Sequence, residues 1–201
     1  MTGRRPASGR ASGRVPEPLR RVAVVLVGAM FALALPAGPA GARAAPAEPS
    51  GYRMDDFRAP TPETLVGALV LSTKEAEALW RDKAAVFVDV LPRPPRPAGL
   101  PAGTVWRDKP HETISGAVWL PNVGFGALNE ETEAYFRYGL RAATKGDLKA
   151  RLVIFCQRSC WMSWNAAKRA LASGYENVAW YPDGTDGWAE ALLPLTRAEP
   201  W

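Results

Sequence analysis

Histidine is nearly absent: His111 is the only one among 201 residues. A metal centre built on several imidazoles is therefore excluded, and no Ser-His-Asp set can be assembled around it. Cysteine is almost as scarce, with two residues, Cys156 and Cys160. Two thiols do not make the framework of a disulfide-rich scaffold, and too few ligands cluster for a structural zinc site. The longest uncharged apolar run, Ala23 to Leu35, is shorter than the roughly 20 residues a membrane-spanning helix needs. The chain contains no phosphate-binding glycine loop and no internal repeat.

The formal charge of +5 invites a nucleic-acid reading, but the charge is unevenly placed. Residues 1–21 carry six Arg and one Glu, then comes the apolar run, then the small-residue stretch AGPAGARA. That order is a basic n-region, an apolar h-region and an Ala42-x-Ala44 cleavage site, so residues 1–44 read as a secretory signal peptide; a retained N-terminal anchor is the alternative. Subtracting the seven Arg and one Glu of residues 1–44 from 25 basic and 20 acidic residues leaves 18 and 19, a net charge of −1. The basic character belongs to the leader, and no patch remains that argues for nucleic acid. Nor does a membrane span remain once the leader is removed. Abundant Ala, Arg, Pro and Gly point to a GC-rich bacterial source and a periplasmic address, where thiols are oxidised.

Residues 45–64 are Pro-rich and polar and read as an extended arm. The remainder, 65–201, alternates strand and helix signals. Leu65 to Leu71 is a short apolar run expected to be a strand. Ser72 and Glu75 form a capping box ahead of a helix through AEALWRDK, with Leu79 and Trp80 facing inward. Ala84 to Leu91 is a β-branched buried strand, and residues 92–110 are a proline-rich insertion without periodicity. Ala117 to Pro121 is a third strand. A helix over 129–144 is capped by Asn129 and turns Tyr135, Phe136 and Leu140 inward. Arg151 to Cys156 is a fourth strand. A helix follows from Trp161 and ends at Gly174. NVAWYP is a fifth strand, and DGTDGWAEALLPL closes the chain as a turn and a short helix. The pattern predicts a mostly parallel five-stranded α/β sheet flanked by helices.

Cys156 falls where a strand ends shortly before a helix begins, the edge where open α/β sheets bind ligands. Loop amides, the positive helix end and Arg158 are expected to favour a thiolate there. If the segment were helical, four residues would separate the two cysteine Cα atoms by about 6 Å, inside disulfide range. Four readings stand: a static disulfide; a reversible disulfide or persulfide with Cys156 attacking and Cys160 resolving; Cu(I) binding with Met162 nearby; and a degenerate, inert site. Haem attachment is disfavoured, because Trp161 stands where His is required. Trp164 fits a core stripe with Ala167 and Leu171, while Trp161 is expected to wall a small-molecule pocket or shield the sulfur. Asp183 and Asp186 read as turn residues. Asp89 reads as a cap on a loop amide, and His111 as a loop residue in solvent or contributing to the site.

A strand ending in Cys, a tight loop, a helix, then GYENV and DGTDGW, resembles a rhodanese domain. FVDV and ISGAVWLP resemble its Asp-bearing strand and its Ile-Pro-Gly-Ala segment. The resemblance runs from Leu71 to about Leu195, implies a rhodanese-like fold, and puts Cys156 on the persulfide-carrying position. YRMDDFRAP, DVLPRPPRP, VWLPNVGFG, CWMSWNAAKRAL and AWYPDGTDGW are similar to a narrower rhodanese-like family. That family is named for a CxxxCW motif and is associated with catabolism dependent on pyrroloquinoline quinone (PQQ). This resemblance implies a thiol-based accessory to alcohol oxidation, with a small thiol or sulfur donor as reactant and no cofactor of its own. It also implies a quinoprotein alcohol dehydrogenase or its cytochrome c as partner. Within the loop Cys156-Gln157-Arg158-Ser159-Cys160-Trp161, sulfurtransferases usually have Gly where Ser159 stands and a basic residue where Trp161 stands. Cys160 is an added thiol, and Thr113 takes the place of the usual His, with His111 two residues earlier. The alternative to chemistry at Cys156 is a non-catalytic binding module presenting Trp106, Trp161 and the proline-rich insertion to a dehydrogenase, a cytochrome or an alcohol.

Overall fold

The computed structural model describes residues 45–107 and 109–201; the leader expected over residues 1–44 lies outside them. Five parallel strands form the central sheet in the order β1-β6-β5-β2-β4. These are β1 (Leu69–Val70), β2 (Val86–Asp89), β4 (Val118–Trp119), β5 (Leu152–Phe155) and β6 (Val178–Tyr181). The helices are α1 (Thr73–Arg81), α2 (Glu130–Ala143), α3 (Trp161–Ala172) and α4 (Gly184–Glu190). This is the α/β architecture that the alternation implies.

The reason is visible in β5. All four of its side chains are buried, as a strand covered on both faces requires. Leu152 and Ile154 join one apolar cluster with Phe136, Leu140, Trp164 and Ala167; Val153 and Phe155 join another with Ala76, Tyr181 and Trp188. The period of two thus divides one strand between a layer holding α2 and α3 and a layer holding α1 and α4. Each fully buried side chain of this size contributes roughly 1.5–3 kcal/mol.

The capping box at α1 forms as expected: Glu75 N donates to Ser72 Oγ and Ser72 N to Glu75 Oε2. The hydrogen bonds from Ser72 hold the Glu75 carboxyl below its ordinary range. Asn129 caps α2 by accepting from Thr132 N.

Three expectations are corrected. Leu65 to Leu71 is extended only at Leu69–Val70, because Gly67, at φ +87°, and the Ala68 N to Leu65 O bond make a turn before it. The last helix stops at Glu190, and Leu195–Ala198 extends as β7. It pairs antiparallel with β3 (His111–Ile114), so His111 belongs to a strand rather than to the proline-rich loop. Among the described residues, no helix is long and apolar enough to cross a membrane.

Candidate functional site

The C-terminal edge of the sheet gathers the ends of β2, β5 and β6. Past β5 the chain turns through Gln157, Arg158 and Ser159, the last in the left-handed region at φ +54°, and enters α3. Cys156 and Cys160 pair as a disulfide across this turn, their Cα atoms 6.4 Å apart. The turn is fixed from outside. Cys156 O accepts from Thr185 N at 2.9 Å, and Gly184 packs so close that a Cβ there would collide with the same carbonyl. Gly184 also lies at φ +51°, a second reason for glycine. Cys160 is the N-cap residue of α3, with no side-chain capping bond.

Arg158 does not serve as a free cation beside the sulfurs. Its guanidinium takes Glu190 in a two-pronged pair at 2.6 and 2.7 Å, and Asp183 at 3.1 Å. These bonds push the Arg158 pKa up and hold the Glu190 carboxyl below its ordinary range. Asp183 and Asp186 therefore do more than shape a turn, since Asp186 Oδ2 also accepts from Arg158 N. That amide, and Trp161 N, which donates to Phe57 O, are committed and are not available to cradle a thiolate.

Trp161 is buried and holds the N-terminal arm instead of walling the cavity beside the thiols. Its indole Nε1 donates to Pro60 O at 3.0 Å, and the Arg53 guanidinium lies 5.3 Å from its ring centroid. Trp164 Nε1 donates to Thr64 O, and Lys168 Nζ to Pro49 O. The buried Asn165 accepts from Arg53 N and donates to Arg53 O and Gly124 O. The arm thus lies along α3, stitched through its own backbone. Trp164 is also fully buried, as its stripe with Ala167 implied.

Asp89, at the end of β2, is completely buried and accepts three hydrogen bonds. Leu91 N gives to Oδ1 at 2.8 Å, the loop-amide cap the sequence implied, and Thr113 Oγ1 gives to Oδ2 at 2.6 Å. His111 Nε2 lies 2.7 Å from the same Oδ2, and its ring stacks 4.1 Å from that of Trp119. With a carboxylate as partner, Nε2 carries the proton and donates it. The His111 side chain is 9% exposed, so the solvated reading is corrected. β3 was hidden in the sequence because HETI is short and polar; its adjacent β-branched residues Thr113 and Ile114, both buried, are the signal that would have found it.

His111 and Cys160 meet in the wall of one cavity of about 760 Å³, together with Gln157, Met162 and Trp119. Arg58, Arg93 and Lys109 bring positive charge to it, Glu112 and Asp186 negative. Cys156, Arg158, Ser159, Trp161 and Asp89 are not part of its wall. Trp106 lines an adjoining cavity of about 710 Å³ with Arg96 and Asn129, and Arg93 belongs to the walls of both. Among the described residues, no group of three His, Cys, Asp or Glu side chains is placed to hold a metal ion.

No protein-family model matches the chain, and no curated protein does. Among solved structures, it is similar to the polysulfide-sulfur transferase homodimer of Wolinella succinogenes. The identity is 18%, over 65% of this chain and 79% of that one, with a TM-score of 0.40. It is similar to a thiosulfate sulfurtransferase from Pseudomonas aeruginosa at 19% identity and a TM-score of 0.44, over 66% of this chain but only 21% of that one. A human single-domain sulfurtransferase is similar at 24% identity, over 61% of this chain and 96% of that one, with a TM-score of 0.38.

Proposed function

We propose that the chain is a rhodanese-like thiol protein whose Cys156–Cys160 pair opens and closes in thiol–disulfide or sulfur-transfer chemistry. The observation that carries this is the cysteine pair itself, spanning the turn between the central strand β5 and α3, with one member in the wall of an open cavity. The motif resemblances support the rhodanese-like reading, and the leader supports export to an oxidising compartment. The CxxxCW motif supports a role as accessory to PQQ-dependent alcohol catabolism.

The test is a redox titration of the native protein with thiol trapping and peptide mapping. Mild dithiol is expected to release both thiols together while circular dichroism stays native. If the thiols appear only after denaturant is added, the disulfide is structural and the proposal fails.

The cavity of Trp106, Arg93 and Arg96 favours a second reading, a binding module for a quinoprotein dehydrogenase or its cytochrome c. On that reading Trp106→Ala weakens capture of the purified dehydrogenase or cytochrome, and Cys156→Ser leaves it intact. Loss with Cys156→Ser alone counts against it.

A further inference from the structure

We propose that the reactant at the Cys156–Cys160 pair is an organic thiol with a ring-sized apolar body and a negatively charged far end, rather than a small sulfur anion. The inference rests on the thiol chemistry proposed above and names the class of substrate that chemistry takes.

Three observations converge. First, the cysteine turn keeps little that would hold a small anion against the sulfurs. Its one cation, the Arg158 guanidinium, is taken by Glu190 and Asp183. Arg158 N is given to Asp186 Oδ2 and Trp161 N to Phe57 O. Second, both cysteines are buried, Cys156 at 0% and Cys160 at 1% exposure, and the pair reaches the cavity through Cys160 in its wall. A thiol arriving at random from bulk water meets almost no sulfur surface, so a reactant has to be seated in the cavity first. The surface offered there is largely apolar: Leu91, Pro92, Trp119, Met162 and Leu195 line it. Its volume of about 760 Å³ falls within the roughly 300–1,000 Å³ of sites for organic ligands. A benzene ring is accommodated in only about 150 Å³. Third, the cations of the wall lie outside the cysteine turn. Arg58 comes from the arm and Lys109 from the proline-rich insertion, both exposed, and Arg93 joins them. The two carboxylates of the wall have other partners. Glu112 stands opposite Arg197 in the β3–β7 register, and Asp186 accepts from Arg158 N. A ring buried against the apolar wall supplies the seating. A charge left beside exposed Arg58 and Lys109 keeps its water, which one pressed against the buried sulfurs would lose.

The reaction balances with the protein disulfide as the oxidant. A thiol R–SH releases its proton to water, and its sulfur attacks one sulfur of the pair. The Cys156–Cys160 bond breaks, its electron pair leaves on the other cysteine, and that cysteine takes up a proton. A second R–SH then attacks the R sulfur of the mixed disulfide, and the first cysteine leaves as its thiol. The products are R–S–S–R and two cysteine thiols. The balance is the same whichever cysteine is attacked first.

The oxidised protein is treated with three thiols: 4-(mercaptomethyl)benzoate, which has ring and anion; phenylmethanethiol, which has the ring alone; and 2-mercaptoethanesulfonate, which has the anion alone. Each rate of opening is divided by that thiol's rate with 2-hydroxyethyl disulfide, which removes differences in intrinsic reactivity. The normalised rate with 4-(mercaptomethyl)benzoate is expected to exceed that with 2-mercaptoethanesulfonate at least about tenfold. It should exceed that with phenylmethanethiol about two- to fivefold. Ala189→Phe puts bulk into the cavity from an exposed position on α4. It should cut the ring preference to less than about threefold. Arg58→Gln together with Lys109→Gln should bring the ratio between the two ring thiols to about one. Equal normalised rates, a preference for 2-mercaptoethanesulfonate, or a ring preference untouched by Ala189→Phe overturns the substrate class and leaves the proposed function standing. A ratio between the ring thiols untouched by the double substitution overturns the charged end. If no thiol opens the pair while the protein stays native by circular dichroism, the proposed function fails, and the substrate class with it.

Discussion

Arg169 is a buried cation, 6% exposed, and its removal can be read directly in the stability of the fold. Its guanidinium lies inside the protein and forms no salt bridge with a carboxylate among the described residues. Nη1 donates to Val123 O at 2.9 Å; Nη2 donates to Phe125 O at 3.0 Å and to Gly126 O at 3.1 Å. Its Cζ sits 4.4 Å from the Tyr52 ring centroid. Burial lowers its pKa, the signature of an ion held at a desolvation cost. Charge-assisted hydrogen bonds contribute about 1.5–3 kcal/mol each and are not additive, and the cation–π contact adds roughly 0.5–2 kcal/mol. Replacing the ion by Arg169→Met removes all four interactions, strands three carbonyls and recovers the desolvation cost. The balance should be a loss of about 3–5 kcal/mol. Urea unfolding followed by tryptophan fluorescence should show a lower midpoint at unchanged slope, and thermal melting a fall of roughly 10 °C. Arg169→Lys keeps the charge but has one nitrogen where two are used, so it should recover less than half. A loss below about 1 kcal/mol for Arg169→Met would refute the claim that this side chain organises the 123–126 loop and ties it to the arm.

Two other outcomes follow from the site's surroundings. Trp161→Phe removes the donor to Pro60 O and part of the buried ring, so it should cost about 1–3 kcal/mol and speed protease cleavage within residues 45–64; an unchanged cleavage rate would count against the latch. Because the Arg158 hydrogen bonds depress the Glu190 carboxyl, the stability that pair contributes is present above the unfolded carboxylate pKa and lost as pH falls through the folded one. Arg158→Gln should return the Glu190 titration, followed by carboxyl NMR, toward its ordinary range and remove that acid-side dependence.

The central architecture was legible because β2, β5 and β6 are continuous apolar runs and the helix caps carry their own signatures, Ser72 with Glu75 and Asn129 with Thr132. What escaped has a common physical cause. The β3–β7 ribbon joins two short polar segments, HETI and LTRA, whose pairing depends on partners more than eighty residues apart. The partners of Arg158 lie 25 and 32 residues away on the α4 segment, so its charge looked free from the sequence. His111 looked exposed because it follows a proline-rich stretch, and only the fold brings Asp89 to it. The cysteine turn was recognisable, yet which sulfur meets the cavity depends on the packing of both layers.

The stitching of the arm to α3 divides its information unequally. On the helix four of the contacts come from side chains: the indoles of Trp161 and Trp164, the amide of Asn165 and the ammonium of Lys168. On the arm they are met by main-chain groups of Pro60, Thr64, Arg53 and Pro49, which every amino acid supplies. At these four joints substitution is therefore constrained on the helix and tolerated on the arm. The arm's own side chains carry sequence at other points, where Arg53 lies over the Trp161 ring, Tyr52 over Arg169, and Phe57 edge-on to Phe125. A synthetic peptide of matching length and backbone shape should compete for this face of the helix only when it keeps Tyr52, Arg53 and Phe57.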